Sequence, residues 1–326
     1  MLVRRLMTTA LVVALVSTPA AAATRQTIYA TGPSRVVDSL AVDAQEGDEF
    51  LIHARMQAED ATARILAELQ LFCVSTEPEL RTTQNMVGGQ DVLVLHGRYV
   101  FTAPSDGLFN CRLAARAVMP GGVPNDVEHF DVDVDASWLT ATPQPSWVRH
   151  DWHGGGPFVR SDATLIPRGR ARDVAVLNFT APSGVAGFDA IADVEFTNCY
   201  DASWECDTSP TNRNSSTVET QLQPKQRAAG GGYCRITRSE KRTTRITRDI
   251  HHRKTYHELS SVPVSGVAGC TRSFRLKVYT RVTAGNDALV EMNPYTKVIA
   301  ASKTVPAGQR PGGQRLAVRR GQTTSR

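Results

Sequence analysis

Apolar and polar residues alternate along several stretches of the chain, which is the pattern of a β-strand with one buried face. Within Glu128–Trp138, apolar residues at even positions from 130 to 136 alternate with aspartates at odd positions. Similar strand-like patterns occur in Glu49–Arg55, Asp91–Ala103 and Phe274–Thr283. Turns rich in glycine and proline separate such stretches. The pattern predicts an all-β protein.

One stretch, Ala58–Leu71, is rich in good helix formers and could be a helix. Its continuation into Leu69–Cys73 favours a strand for at least the second half. Many short strands with intervening turns and cross-linking cysteines are typical of β-sandwiches. We therefore predict two tandem β-sandwich domains, each stapled by disulfide bonds.

A repeat supports the duplication. Ile65–Cys73 resembles Ile191–Cys199, since each is an apolar-rich stretch that ends in cysteine. Four residues that begin with proline and end with glycine precede Cys111 and Cys270 at the same spacing. A competing alignment matches Phe101–Ser105 with Phe179–Ser183, two identical five-residue segments. The cysteine alignment is the one we adopt.

All six cysteines lie after the first 70 residues, and none forms a Cys-x-x-Cys motif. An even number of cysteines in an exported chain favours disulfide bonds over a metal site. The repeat predicts the pairs Cys73–Cys111 and Cys199–Cys270, and it leaves Cys206–Cys234 as an addition to the second copy.

The N-terminus has the features of a secretory signal peptide over residues 1–23. Arg4 and Arg5 precede an apolar run, and small residues follow it at Ala20–Ala23. The run is too short and too close to the N-terminus for a membrane span. We expect export by the general secretory route, secretion without an anchor, and no membrane span.

The prolines and small polar residues of Thr140–Trp147 predict a boundary between two domains. The first β-sandwich is expected over 24–143 and the second over 144–303. Residues 304–326 hold basic residues, glycines and glutamines but little to bury, so they are expected to form a disordered basic tail.

The chain of 326 residues carries a net charge of +5, which is unevenly spread. Acidic residues dominate up to about residue 145, and basic residues dominate from there to the C-terminus. The basic average therefore does not indicate nucleic-acid binding, and we consider nucleic acid an unlikely partner. The hydrophobic content of 41% is enough for two buried cores.

Two clusters have residue types that bind metals. His150 and His153 could share Zn²⁺ on one helical turn, but the glycines after His153 favour an exposed linker. Asp131, Asp133 and Asp135 could offer carboxylates to Ca²⁺, although a flat strand face does not converge on an ion. The favoured interpretation of both clusters is structural, and no cofactor is expected.

Basic residues concentrate between positions 235 and 254, where we predict a strand pair with an exposed turn at Arg238–Thr244. This stretch could attract an anionic polymer, although a solvated hairpin is the simpler interpretation. The candidate residues for such binding are Arg235, Arg238, Lys241, Arg242, Arg245 and Arg248.

Tryptophans gather near the predicted boundary. Trp147, Trp152 and Trp204 could stack on sugar rings, or they could pack between the two domains. Packing is the interpretation that we favour.

No nucleophile elbow, Ser-x-x-Lys set or phosphate-binding loop is evident. The leading hypothesis is a secreted, non-catalytic binding or structural protein for an extracellular polysaccharide or another anionic polymer. The alternative is a secreted, glycan-directed hydrolase with a site around His150, Asp151 and His153. The oligomeric state is left open.

Overall fold

The computed structural model of the protein describes residues 24–89, 92–119, 127–144, 147–153, 163–199, 215–292, 294–302 and 319–320. Every regular element in these ranges is a β-strand, which confirms the predicted all-β class. The described part of the chain contains no helix of the length and hydropathy needed to cross a bilayer. The predicted signal peptide lies outside these ranges.

Eight strands form the first sandwich. Their bounds are β1 Arg25–Tyr29, β2 Arg35–Ala44, β3 Glu49–Glu59, β4 Ile65–Phe72, β5 Leu80–Met86, β6 Val92–Thr102, β7 Gly107–Val118 and β8 His129–Pro143. Sheet A has the strand order β1-β8-β3-β6, and sheet B has the order β2-β7-β4-β5. All pairs are antiparallel. Two four-stranded sheets connected in this order form a jelly roll.

The second sandwich follows with eleven strands. Their bounds are β9 Val148–Trp152, β10 Thr164–Ile166, β11 Ala171–Thr180, β12 Gly187–Asn198, β13 Ser215–Ala228, β14 Tyr233–Ile236, β15 Arg242–Thr247, β16 His252–Pro263, β17 Cys270–Gly285, β18 Ala288–Val290 and β19 Lys297–Ser302. Sheet C has the order β10-β18-β12-β19-β9, and β16 pairs with the other side of β12. Sheet D has the order β11-β17-β13-β14, and β15 also pairs with β13.

The two sandwiches share one topology. Strand β12 pairs with β16 and β19 as β3 pairs with β6 and β8. Strand β17 lies between β11 and β13 as β7 lies between β2 and β4. The chain therefore contains the same jelly-roll arrangement twice, which confirms the predicted tandem architecture. The exact domain boundaries stay a prediction.

Half of the predicted repeat alignment agrees with this topology. The turns before Cys111 and Cys270 both lead into equivalent strands, β7 and β17. The other half is wrong, because Ile65–Phe72 is β4 whereas Ile191 lies in β12, the equivalent of β3. The helix considered over Ala58–Leu71 is also absent, since this stretch comprises the end of β3, a turn, and most of β4.

Burial follows the alternation from which the strands were predicted. In β3 the even-numbered residues from Phe50 to Ala58 are buried between sheets A and B. The first core includes large side chains from sheet A, among them Phe101 and Phe130. The second core lies between sheets C and D, where the Phe179 and Phe274 rings stack with centroids 5.5 Å apart.

Disulfide bonds staple both sandwiches. Cys73 pairs with Cys111 in the first sandwich, as predicted. In the second, Cys234 pairs with Cys270 and not with Cys206, so the predicted pairs Cys199–Cys270 and Cys206–Cys234 are wrong. Cys199 is also disulfide-bonded, and its partner lies outside the described residues.

Strand length explains why Cys199 does not reach Cys270. The backbone N–H of Cys199 donates to the Asp287 carbonyl, 3.3 Å away, just beyond the C-terminal end of β17. Cys270 begins that strand, and 16 residues of extended chain span about 50 Å. Cys234 on β14 instead lies beside the N-terminal end of β17, with a Cα–Cα distance of 5.7 Å.

The predicted C-terminal tail, 304–326, lies outside the described residues except for β20, Arg319–Arg320. This two-residue strand pairs with Leu40 and Ala41 and extends sheet B beyond β2.

The two sandwiches stack through the outer faces of sheets A and C. Leu51 and Val100 of sheet A join Ile191 and Ile299 of sheet C in one apolar cluster. The inner faces of these two sheets already cover the two cores. The layer order is therefore B, A, C, D.

The edge strand β5 of sheet B also reaches the second sandwich. There the Thr83 backbone N–H donates to the Glu195 carboxylate over 3.1 Å, and Lys254 donates to the Thr82 hydroxyl over 2.8 Å. The outer face of sheet D faces away from the first sandwich.

Candidate binding face

The outer face of sheet D carries polar side chains on its central strands, β13 and β17. Val218 and Leu222 point into the second core, so the odd-numbered residues of β13 face outward. Three rungs of this face follow from the strand register: Gln221 with Tyr279, Gln223 with Lys277, and Lys225 with Arg275.

A groove of about 710 Å³ lies on this face, a volume within the range of ligand-binding clefts. Its polar lining consists of Arg172, Asp173, Gln223, Lys225, Lys277 and Tyr279. We call it the sheet D groove.

A β-bulge in β11 shapes one wall of the groove. The register between β11 and β17 shifts between Val174 and Leu177, and Ala175 has a φ of 48°. Bulges bend a strand and redirect its side chains. Asp173, directly before the bulge, pairs opposite Tyr279 and faces the groove.

The groove contains more positive than negative charge. The Lys277 ammonium lies 2.5 Å from the Asp173 carboxylate, which also lies 3.7 Å from Arg275. Lys225 forms no ion pair among the described residues, and its nearest aromatic ring is that of Tyr233, 5.3 Å away. Partial burial and the neighbouring Lys277 lower the pKa of Lys225.

Two amides hold fixed positions beside these charges. The side-chain Nε2 of Gln223 donates to the side-chain Oε1 of Gln221 over 2.9 Å. The side-chain Nε2 of Gln221 donates to the backbone carbonyl of Ser239, also over 2.9 Å. Both glutamines are 9% exposed, which is low for the outer face of a sheet. Fixed amides next to lysines and a tyrosine ring can recognise hydroxyl groups and anions.

A second polar cluster is buried between the sandwiches. Arg98 of β6 reaches across to sheet C, where its Nε donates to the Asp193 carboxylate over 3.0 Å. The Lys297 ammonium lies 3.8 Å from the same carboxylate, and Lys254 lies 3.6 Å from Glu195. We call these five residues the buried seam.

Burial and charge act in opposite directions on the acids of the seam. Burial raises the pKa of Asp193, but the cations around it outweigh this effect and bring the pKa to about 2. Burial raises the pKa of Glu195 to about 7 in spite of Lys254. Burial also lowers the pKa of Lys297 well below its ordinary value. The seam binds the sandwiches to each other and is closed to a ligand, because its side chains are at most 9% exposed.

Trp147 and Trp152 do not form a shared sugar platform. Trp147 is 3% exposed and packs against Phe179 and Phe188 in the second core. The hypothesis that Trp147 contacts a sugar is therefore wrong. Trp152 packs against the first core and lies under the Lys297 ammonium, 4.6 Å from the ring centroid. Trp204 lies outside the described residues.

The candidate zinc ligands are not brought together. The backbone N–H of Ala175 donates to Nδ1 of His153 over 3.2 Å, so Nε2 carries the proton and donates to Thr164. Burial lowers the pKa of His153 to about 4, in agreement with a neutral ring. Both ring nitrogens of His153 are engaged in hydrogen bonds, so the hypothesis that His153 binds a metal ion is wrong. His150 is exposed on β9, and the described residues contain no group of three His, Cys, Asp or Glu side chains able to hold a metal ion.

Two of the three aspartates considered for Ca²⁺ accept backbone hydrogen bonds. Asp133 accepts from the Ala136 N–H and Asp135 from the Thr24 N–H, each over 3.0 Å. One carboxylate oxygen of Asp131 is buried without a hydrogen-bond partner in the described part of the chain. The described residues contain no group of three such side chains that could hold a metal ion.

The basic stretch forms an edge and not a hairpin. Strands β14 and β15 pair with successive parts of β13, while β16 belongs to sheet C. The predicted turn at Arg238–Thr244 is wrong in part, because residues 237–241 connect two collinear strands and Arg242–Thr244 belong to β15. Arg235 is partly buried and donates to the Pro263 carbonyl. The other five candidates are exposed along this edge: Arg238, Lys241, Arg242, Arg245 and Arg248.

The residues of the sheet D groove are not among those predicted from the sequence. A signal was present, because Arg275, Lys277 and Tyr279 alternate with apolar residues in a stretch identified as a strand. No signal showed that this polar face forms a groove, since the β11 bulge and the neighbouring strands come from elsewhere in the chain.

No known family model matches the chain, and no curated protein matches it.

Several solved structures resemble the chain, all with low TM-scores and low sequence identity. The tandem CBM22-1–CBM22-2 domains of Paenibacillus barcinonensis Xyn10C are 9% identical, with a TM-score of 0.24, over 84% of this chain and 90% of that one. A structure of infectious bursal disease virus, Gx strain, is 8% identical, with a TM-score of 0.30, over 88% of this chain and 73% of that one. The stem and receptor-binding domain of the spike protein P1 from bacteriophage PM2 is 7% identical, with a TM-score of 0.23, over 84% and 99%. These distant likenesses carry no argument about ligand or activity.

Proposed function

We propose that the protein is a secreted, non-catalytic protein that binds an extracellular polysaccharide in the sheet D groove. The observation that supports this most is the groove itself, which combines an open cleft of about 710 Å³ with the fixed amide of Gln223, two lysines and a tyrosine. The predicted signal peptide and the disulfide bonds support an extracellular location.

The scaffold suits binding because the groove lies on two long paired strands. Strands β13 and β17 contain 14 and 16 residues and pair along most of their length. Side chains on such strands are held in place before a ligand arrives, which reduces the entropy lost on binding. Tyr279 offers an aromatic ring for contact with a sugar face.

The carboxylate content of the groove argues against glycoside hydrolysis there. Hydrolases of this kind generally use a pair of carboxyl groups at a fixed separation. Among the described lining residues only Asp173 has a carboxylate, and Lys277 and Arg275 engage it. The groove therefore supports binding better than cleavage.

Binding is tested with the secreted protein and a panel of soluble and insoluble polysaccharides, by co-sedimentation and calorimetry. Tyr279→Ala is expected to weaken binding roughly tenfold, the effect of losing about 1.4 kcal/mol of ring contact. Tyr29→Ala, which removes an exposed tyrosine from the first sandwich, is the matched control and should bind like the natural protein. Equal loss in both variants, or no binding to any polysaccharide, contradicts the proposal, and release of reducing ends contradicts its non-catalytic part.

A further inference from the structure

The charges of the sheet D groove point to the class of polysaccharide. We infer that the groove takes an acidic polysaccharide whose sugars carry carboxylates, with one carboxylate bound between Lys225 and Lys277; this inference rests on the proposed function.

The two lysines lie on neighbouring strands of the same face. Lys277 is opposite Gln223, and Lys225 is two residues further along β13, opposite Arg275. Both side chains line the groove, one rung apart on neighbouring strands, a diagonal spacing of about 7 Å that one anion can bridge. Two like charges held this close repel each other, and an anion placed between them removes the repulsion.

The protein itself supplies too few carboxylates for these cations. Asp173 lies near Lys277 and Arg275, at 2.5 and 3.7 Å. Glu219, further along β13, pairs with Lys241 over 3.0 Å at the edge of the sheet. Among the described residues, Lys225 and Arg172 are therefore the basic residues of the groove without a carboxylate partner, and Lys225 is the one next to Lys277 on the same face.

The neighbouring groups fit a sugar acid better than a free anion. The fixed Gln221–Gln223 pair and Tyr279 lie along the same strands as the lysines. A polymer of sugar acids places a carboxylate and several hydroxyls on each ring, so one ring can contact lysine, amide and tyrosine together. A free anion would use the lysines alone.

The inference is tested by comparing polygalacturonic acid with its fully methyl-esterified form, which has the same backbone without the charge. Calorimetry on the secreted protein at low salt should show binding to the acid at least roughly tenfold tighter than to the ester, since a charge-assisted hydrogen bond is lost. Dextran sulfate and inorganic sulfate are included as anions without carboxylates.

Lys225→Gln should weaken binding of the acid roughly tenfold or more, while leaving circular dichroism and thermal unfolding unchanged. Arg116→Gln is the control, because it removes an exposed positive charge from β7 of the first sandwich, outside the groove and the basic edge, and it should change binding less than about twofold. Equal binding of acid and ester would overturn the inference but leave the proposed function standing. An Arg116→Gln loss as large as that of Lys225→Gln, or tighter binding of either sulfate probe than of the acid, would also overturn it. Failure to bind any polysaccharide would overturn both.

Discussion

His257 shows how burial decides the chemistry of a single residue. It lies on β16, is 1% exposed, and forms hydrogen bonds with Thr220 over 2.8 Å and Ser239 over 3.1 Å. Burial lowers its pKa to about 4, and nearby Arg242 and Arg98 add to the effect. At neutral pH the ring is therefore uncharged.

This residue makes stability depend on pH. The unfolded chain takes up a proton on His257 below about pH 6.5, whereas the folded chain does so only near pH 4. The stability that the neutral ring contributes is therefore present above pH 6.5 and is lost as the pH falls towards 4, by up to about 3 kcal/mol.

Urea unfolding between pH 4.5 and 7 measures this dependence. The natural protein should become more stable as the pH rises, because His53 and His252 have their pKa values lowered to about 4 in the same way. Glu195, with its pKa raised to about 7, opposes the trend between pH 4.5 and 7. His257→Gln should reduce the slope, and an unchanged slope would show that His257 does not titrate as described.

The type of a residue was a poorer guide to its role than the alternation of apolar and polar residues was to the strands. Trp147 and His153 were singled out because tryptophan stacks on sugars and histidine binds metals. Their neighbours in space give them structural roles. Phe179 packs against Trp147, and the backbone N–H of Ala175 donates a hydrogen bond to Nδ1 of His153. Those neighbours lie on other strands and leave no trace in the local sequence.

At the scale of strands, alternation was a sufficient guide. The burial of β3 and β8 follows the period of two, because each strand has one face in a core. The disulfide pairs were harder, because pairing depends on which strand ends meet. Cys199 follows β12 and lies near the C-terminal end of β17, whereas Cys270 begins β17, so the length of that strand separates the two cysteines. The sequence around each cysteine does not show this.

The Cys234–Cys270 bond is expected to be a major support of sheet D. It joins β14 to β17 across the end of β13 and closes a loop of 36 residues in sequence separation. The chain-entropy estimate for such a loop is about 4 kcal/mol. The double variant Cys234→Ser, Cys270→Ser should lose about this much stability in urea unfolding.

Peptide mapping without reduction provides the direct check of the same bond. A cross-linked peptide containing Cys234 and Cys270 is expected, along with one containing Cys73 and Cys111. A peptide that joins Cys199 to Cys270 would contradict the strand register.

At the scale of the whole molecule, the buried seam determines how the two sandwiches are joined. Arg98 accounts for much of this contact, because its guanidinium reaches Asp193, the Ala192 carbonyl and Glu258 from the opposite sandwich. A buried charge left without its partner costs about 3–5 kcal/mol.

A double-mutant cycle with Arg98→Met and Asp193→Asn tests this coupling in urea unfolding. Each single variant should lose about 3–5 kcal/mol, and the double variant should lose less than the sum by more than about 1 kcal/mol. Arg25→Met is the control, since Arg25 forms an exposed ion pair with Asp60, and it should leave the urea midpoint nearly unchanged. Additive losses would show that Arg98 and Asp193 do not act as a pair.

The sequence predicted two sandwiches but not their stacking. Charged residues such as Asp193 and Glu195 occur within strands where a solvent-facing position was the natural expectation. Their partners are more than 50 residues away in sequence, as with Arg98 and Asp193, which are 95 apart. Only the approach of sheet A and strand β5 to sheet C turns those faces into an interior.

The layer order B, A, C, D also determines how the molecule can be presented. The groove lies on the last layer and faces away from the first sandwich, so anything attached to sheet B leaves it unobstructed. A protein immobilised through its first sandwich, on a sensor chip or on an envelope, would display the groove outward. Coupling through the Arg238–Arg248 edge would bring the support close to it.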